Sequence, residues 1–248
     1  MISFIKPLIV NITILFSLMF NANLFIPFTR NKQFNIRKQT IFGLIGAFAA
    51  ILCMIYPIET LLDTNFDMRM VAVMIVTIYG GIYSGFLTTV IVVVFRFLIG
   101  GEFILEGITV TVIAFLITAL LRSRFNRSNK KVIFGLFILL IYYPIYIVII
   151  SERVPFLNLD FYFVYFSTFT STFLALIYII ERLMTANEQL VEAQYLDKLS
   201  TVSQMAAAFA HEIRNPITTV RGFIQYINAD SNDKKLKEFS PLILDELD

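Results

Sequence analysis

Long apolar runs separated by short polar or basic stretches fill the first 180 residues, and charged, periodic sequence follows abruptly. A helix crossing about 30 Å of hydrocarbon needs about 20 mostly apolar residues, at 1.5 Å of rise each. Residues 2–28 meet that length with a single early charge, Lys6. The run is too long for a cleaved signal peptide, and no small-x-small site follows it. Further apolar runs occupy 40–57, 103–121, 132–150 and 160–180. The stretch 59–99 is ambiguous: it opens with Glu59, Asp63, Asp67 and Arg69, continues almost uncharged to Arg96, and is interrupted at Gly80-Gly81.

The basic residues resolve the ambiguity. Arg30, Lys32, Arg37 and Lys38 form one cluster; Arg122, Arg124, Arg127, Lys130 and Lys131 form another with no acid among them. Loops rich in Lys and Arg stay on the cytoplasmic side. Both clusters share a side only if 59–99 crosses twice, turning at Gly80-Gly81. The expected fold is therefore all-α. A polytopic bundle of seven spans, about 3–27, 40–57, 60–79, 82–99, 103–121, 132–150 and 160–181, has its N-terminus outside, and residues after 181 lie in the cytoplasm.

The third span then carries Asp63, Asp67 and Arg69 in its outer half. Ionisable groups within a span are costly and usually paired, facing the bundle interior. On one continuous helix Asp67 and Arg69 do not share a face, whereas Asp63 and Asp67 do. Each of Asp67 and Arg69 then needs another partner, and Arg96 on the next span is one for Asp67. Two readings stand. Residues 59–69 are either an extracellular loop leading into a re-entrant segment, or part of an outward-facing polar pocket lined by Asp63, Asp67, Arg69, Arg96 and Glu102. Gly100-Gly101-Glu102-Phe103 spells the signature of cyclic-dinucleotide synthases, but it joins two spans with no nucleotide domain around it and reads as a glycine turn.

After residue 181 the period is that of a helix. Leu183, Ala186, Leu190 and Ala193 follow an a/d rhythm. A second rhythm repeats every seven residues through Leu196, Ser203, Ala210, Ile217 and Ile224, with Leu199, Ala206, Ile213, Val220 and Ile227 as companions. The two rhythms are out of phase by one residue near 193–196. His211, the only histidine, follows the seam residue Ala210 and should project from the helix pair. Glu212 is its neighbour, and Asn215 lies on the same helical flank four residues on. Pro216 removes a backbone donor and should kink the helix. Gly222 and the polar stretch 228–233 suggest a turn, and Leu236, Phe239, Leu242, Ile243 and Leu247 a second amphipathic helix, with Ser240-Pro241 an alternative start. Two such helices bury one face only, and dimerisation into a four-helix bundle completes the core.

Composition agrees with the pattern. Of 248 residues, 58% are hydrophobic and 15% charged, which excludes a disordered chain, a basic nucleic-acid-binding domain and an ordinary soluble globule. One cysteine, Cys53, allows no intrachain disulfide. Chemically, an exposed imidazole is mostly neutral at pH 7 and nucleophilic. A carboxylate beside it can accept the proton during attack on a phosphoryl group. An amide four residues on can orient a water that reverses the modification.

The residues 199–218, with His211-Glu212-Ile213-Arg214-Asn215-Pro216 at their centre, and the continuation Val220-Arg221-Gly222-Phe223 resemble the H-box of bacterial sensor histidine kinases. That resemblance implies that His211 is the phosphoacceptor, Glu212 the general base, Asn215 the residue that positions water for phosphatase activity, and Pro216 the family's structural bend. Asp67-x-Arg69, Gly80-Gly81-x-x-x-Gly85 and Arg96-x-x-x-Gly100-Gly101 are similar to the multi-helix sensor region of LytS-type kinases. With a dimerisation helix attached directly, the combination resembles the sporulation kinase B type of Bacillus relatives. The implied organisation is a membrane sensor over 1–181, a signalling-helix linker over 182–198 and an incomplete dimerisation and phosphoacceptor domain over 199–248. No asparagine-bearing box or glycine-rich lid follows, so the expectation is a C-terminally truncated chain without an ATP-binding domain.

The expected function is that of a two-component sensor histidine kinase, linked by resemblance to sporulation, which passes phosphoryl from His211 to an aspartate on a response-regulator receiver domain. ATP and Mg²⁺ are implied for a complete kinase; this chain is expected to bind no cofactor and no metal. Expected partners are a second copy, the receiver domain, the bilayer of a bacterial cell membrane, and a regulatory membrane protein or small ligand, but no nucleic acid. Two other readings compete: a non-catalytic partner or decoy that dimerises with an intact kinase, and a membrane solute-binding or transport protein, which intramembrane charges and glycine turns would also suit.

Overall fold

The computed structural model describes residues 2–30, 35–59, 65–153, 159–230 and 233–247. Contacts divide it into two compact units, Met1–Glu188 and Gln189–Asp248. The first contains α1 (Ile2–Phe25), α2 (Ile36–Ile55), α3 (Arg69–Ile75) with a π-helical last turn (Val76–Gly80), α4 (Ile82–Ile99), α5 (Ile104–Arg127), α6 (Lys131–Arg153) and the first part of α7 (Leu159–Asp230). Among the described residues, six helices are long and apolar enough to cross a bilayer, and 69–80 is a shorter apolar helix. Among the described residues the sheet is a two-residue antiparallel ladder in which β1 (Ile58–Glu59) pairs with β2 (Asn65–Phe66), Ile58 opposite Phe66.

Hydrogen bonds sort the helix ends of this unit into two groups. At one end, Asn11 Nδ2 donates to the Tyr56 carbonyl (2.7 Å), the Met68 N–H donates to Asn11 Oδ1 (3.1 Å) and Tyr165 donates to the Asp67 carbonyl (2.9 Å). At the other, Ser84 donates to the Gln39 carbonyl (2.8 Å), Arg122 Nε to the Ile78 carbonyl (3.1 Å) and Tyr79 to Glu181 (3.1 Å). The third segment therefore begins at the Asp67 end and finishes at the Arg122 end: it traverses the bundle and is not re-entrant. Both basic clusters contribute to the Arg122 end, through Arg30 from the first and Arg122 and Lys131 from the second.

The third segment departs from expectation in its helical length. A 20-residue span over 60–79 was expected, yet its helix starts at Arg69 and covers twelve residues to Gly80. Asn65 pairs in the ladder, and the Asp67 carboxylate accepts the Arg69 N–H at the helix start. A helix of that length reaches about 18 Å. Phe66 through Ile78 are buried without a break. Such enclosure on all sides fits a helix that is apolar all round and sits at the centre of a bundle.

Small residues allow the surrounding helices to close in. Thr88 donates to the Gly43 carbonyl at 2.9 Å, and a Cβ on Gly43 would lie 3.0 Å from the Ser84 carbonyl oxygen. Close α2–α4 contact of this kind is how helices associate where lipid offers no hydrophobic drive. The single thiol, Cys53, is fully buried on α2.

In the second unit α7 continues as helix through Pro216 to Asp230. The ring removes the backbone donor that would otherwise reach the Glu212 carbonyl. The second helix, α8 (Lys234–Glu246), starts two residues before the expected Leu236, and the Asp233 carboxylate accepts from the Lys235 N–H at 2.9 Å as its N-cap. Pro241 therefore lies inside α8 and does not open it.

Candidate functional site

Two groups of residues carry candidate chemistry, one in each unit. In the first unit a cavity of about 360 Å³ opens at the Asp67 end, and Asp67, Arg69, Arg96 and Glu102 all line it. Four of the five expected pocket residues are thus brought together; Asp63 lies outside the described residues.

Their pairing differs from expectation. Asp67 and Arg69 were expected to need separate partners, yet Arg69 Nε lies 3.5 Å from Asp67 Oδ1, and the same oxygen accepts the Arg69 backbone N–H at 3.0 Å. The cause is the late helix start. Asp67 precedes α3, so its carboxylate folds back over the first turn and meets both the free backbone donor and the positive helix end. Arg96 does not pair with Asp67. It donates to the Gly100 carbonyl (3.1 Å) and the Phe103 carbonyl (3.2 Å), which ties the turn between α4 and α5. Gly100 and Gly101 both have positive φ there, so the GGEF-like sequence is a turn built around an arginine.

The two guanidiniums face one another across Gly107. A Cβ at Gly107 would lie 2.9 Å from Arg69 Nη2 and 3.0 Å from Arg96 Nε, so a larger residue there would press on both side chains. Arg69 Nε and Arg96 Nε are both buried without a hydrogen-bond partner. Glu102 is exposed at the rim, and Glu106 lines the cavity deeper along α5. Asn11 and Tyr165, which hold the Met68 and Asp67 backbone, were missed in the sequence. Asn11 had a readable signal, a lone amide inside an apolar run; Tyr165 did not, since it sits among many aromatics.

In the second unit His211, Glu212, Asn215 and Pro216 are exposed on α7. Thr219 returns its hydroxyl to the Asn215 backbone carbonyl at 3.0 Å, one turn back along the helix. The apolar positions Leu199, Phe209, Ile213, Val220 and Ile227 are also more than 45% exposed in the single chain. Exposed imidazole and unpartnered apolar positions together mark this helix as a surface for other molecules.

Residues 22–185 match the family described as 5TMR of 5TMR-LYT. The chain belongs to that family. The 5TMR-LYT region takes in α2 to the first part of α7, so five of the six long apolar helices lie within it. Residues 201–248 match the His Kinase A phospho-acceptor domain, with His211 inside the match. Among curated relatives, the sensor protein DegM of a Bacillus species is 28% identical over 214 residues, covering 81% of this chain and 55% of its own length. Sporulation kinase B of Bacillus subtilis is 28% identical over 225 residues, covering 83% and 52%. Sporulation kinase C of the same organism is 39% identical over 67 residues, covering 27% and 15%. The chain spans about half the length of the first two relatives. No solved structure matches. Its 5TMR-LYT region and its long apolar helices make this a multi-pass membrane protein, and a stretch matching the phospho-acceptor domain follows that region.

Proposed function

We propose that this chain is the sensing and phosphoacceptor part of a membrane sensor histidine kinase in a two-component phosphorelay. His211 is the residue phosphorylated, and the phosphoryl passes from it to an aspartate on a response-regulator receiver domain. The observation that carries the reading is the exposed imidazole of His211 on a heptad-patterned helix, within the stretch that matches the phospho-acceptor domain. An imidazole nitrogen would attack the γ-phosphorus of ATP as the bond to the departing ADP oxygen breaks, and the adjacent Glu212 would take the ring proton. The Asn215 amide, one turn on, orients the water that hydrolyses the phosphohistidine. A second copy covers Leu199, Phe209, Ile213, Val220 and Ile227 and so completes a four-helix core.

The reaction calls for ATP and Mg²⁺. Among the described residues no group of three or more His, Cys, Asp or Glu could hold a metal ion. Both would reach His211 on a nucleotide-binding domain, which supplies positioning and charge neutralisation for phosphoryl transfer. The Arg122 end, rich in Lys and Arg, faces the cytoplasm by the positive-inside rule, and residues after Glu188 follow on that side. The Asp67 pocket then faces outward and meets the stimulus, a small polar ligand or a membrane protein. Control of sporulation is the process suggested by kinase B and kinase C of B. subtilis.

The test is phosphate incorporation. Membranes carrying the chain are mixed with [γ-³²P]ATP and an added kinase ATP-binding domain, beside His211→Gln. Acid-labile label that is absent from His211→Gln is the expected result. No label in a folded, dimeric chain overturns the phosphoacceptor assignment.

A further inference from the structure

At the Arg122 end a cavity of about 770 Å³ is lined by Arg30, Gln39, Arg122, Asn129, Lys131 and Glu181, among others. Positive-inside placement alone predicts cations reaching into water, and Arg124, Arg127 and Lys130 do so. Arg122 behaves differently. It is drawn inward, its Nε donates to the Ile78 carbonyl at 3.1 Å, and its Nη2 lies 3.7 Å from where a Cβ on Gly81 would be. Gly81 has φ of 111° and no side chain, so the guanidinium fork is left open to the cavity.

Charge along the wall is not balanced. Among the described lining residues Glu181 is the one acid, and it is already engaged: Arg30 Nη2 lies 3.7 Å from Oε2, and the Tyr79 hydroxyl donates to Oε1 at 3.1 Å. Lys131 is held by the Phe125 and Asn126 carbonyls at 2.7 and 2.8 Å, not by a carboxylate. Among the described residues, neither Arg122 nor Lys131 has an acid within ion-pair distance. A roomy polar cavity with two cations that have no acid within ion-pair distance, one of them a fixed fork, suits a tetrahedral oxyanion.

We propose that this cavity binds a phosphate group, with Arg122 and Lys131 as anchors and Arg30 shared between the bound anion and Glu181. The phosphate belongs either to an anionic lipid headgroup, since basic pockets at bundle ends hold such groups, or to a soluble phosphate compound. Glu181 lies on α7, so the anion competes with α7 for Arg30. The same competition makes Glu181 a brake on binding.

The experiment uses the full chain in nanodiscs and two probes. One arm compares discs of phosphatidylcholine alone with discs holding one-fifth phosphatidylglycerol, reading retained phosphatidylglycerol per protein by native mass spectrometry. The other arm measures [³²P]pyrophosphate binding to the chain in phosphatidylcholine discs. Retention in the first arm alone assigns a lipid; binding in the second assigns a soluble compound; either supports the site. Loss of one charge-assisted contact weakens binding about tenfold or more, and this is expected for Lys131→Gln and Arg122→Gln. Glu181→Gln strengthens binding several-fold, and Arg124→Gln leaves it unchanged. Arg122 also braces the Ile78 carbonyl, so Lys131→Gln decides the matter if Arg122→Gln fails to fold. No binding in either arm overturns the proposal. So does wild-type binding by both Lys131→Gln and Glu181→Gln with helicity intact.

Discussion

Leu98 on α4 and Leu242 on α8 are 73% and 64% exposed, almost the same figure with opposite meanings. Leu98 belongs to a bundle whose helices are long enough to cross a bilayer. Its exposed face meets acyl chains as apolar as itself, and nothing is gained by covering it. Leu242 belongs to the unit formed by Gln189–Asp248, whose sequence is charged and periodic. There, exposed Ile, Leu and Phe at heptad spacing are a demand for a partner. Polar groups show the reverse contrast. In the bundle Asp67 and Arg69 are 5% and 6% exposed and must find partners inside; on the outer α7 helix His211 and Glu212 are exposed and are available for chemistry. What counts as an unsatisfied surface depends on the solvent that surrounds it.

The contrast can be broken most severely at His211. His211→Gln is expected to reduce acid-labile phosphate to background while leaving helicity and oligomeric state unchanged, as read by circular dichroism and sedimentation. A variant that lost the dimer as well would show that the histidine is part of the packing. Next is Asp67→Asn. The amide still caps α3, but Arg69 is left as an unpaired buried cation, at a cost of about 3–5 kcal/mol. Thermal unfolding in nanodiscs should show a clear drop, and Asp67→Asn with Arg69→Met should restore most of it. An unchanged midpoint in the single variant would mean that water already reaches the pair.

Ile213→Asp should come third. It removes burial worth about 1.5–3 kcal/mol in each copy, so association weakens by roughly 100-fold or more. Sedimentation of the full chain across a concentration series measures this; an unmoved dimer would take the heptad seam out of the interface. Tyr79→Phe deletes one hydrogen bond to Glu181 and should cost about 0.5–1.5 kcal/mol. Leu98→Ala is expected to be the smallest effect, within about 0.5 kcal/mol, because its surroundings are apolar before and after unfolding within the bilayer. A large loss there would mean that this face is covered by protein and not by lipid.

Much of this arrangement was legible before any coordinates. Long apolar runs reveal spans because bilayer thickness sets a length that short-range accidents rarely reach. The phospho-acceptor helix was legible because the run from His211 to Pro216 resembles the H-box of sensor histidine kinases, on a helix whose heptad rhythm agrees with it. The two basic clusters favoured a third segment that passes through the bundle, while the charges at its start left a re-entrant reading open. Its helix start was not legible, since hydropathy does not tell which residue first closes a helical turn, and that start decides whether Asp67 and Arg69 meet. The Arg122 cavity stayed hidden for another reason. Basic residues after a span read as topology markers, and nothing in the spacing separates Arg122, drawn inward to the Ile78 carbonyl, from Arg124, which points away. Gly107 was equally silent, because its role is to leave space for two side chains from other helices.

The lone thiol of Cys53 has a last consequence. Fully buried on α2 and unmatched by any other cysteine in the chain, it is a stopwatch sealed inside the bundle. A thiol-reactive dye can stop it only when the helices part, so the labelling rate counts openings of the bundle one molecule at a time. Run with and without a stimulus, that count would show whether sensing loosens the helices around Cys53 or tightens them.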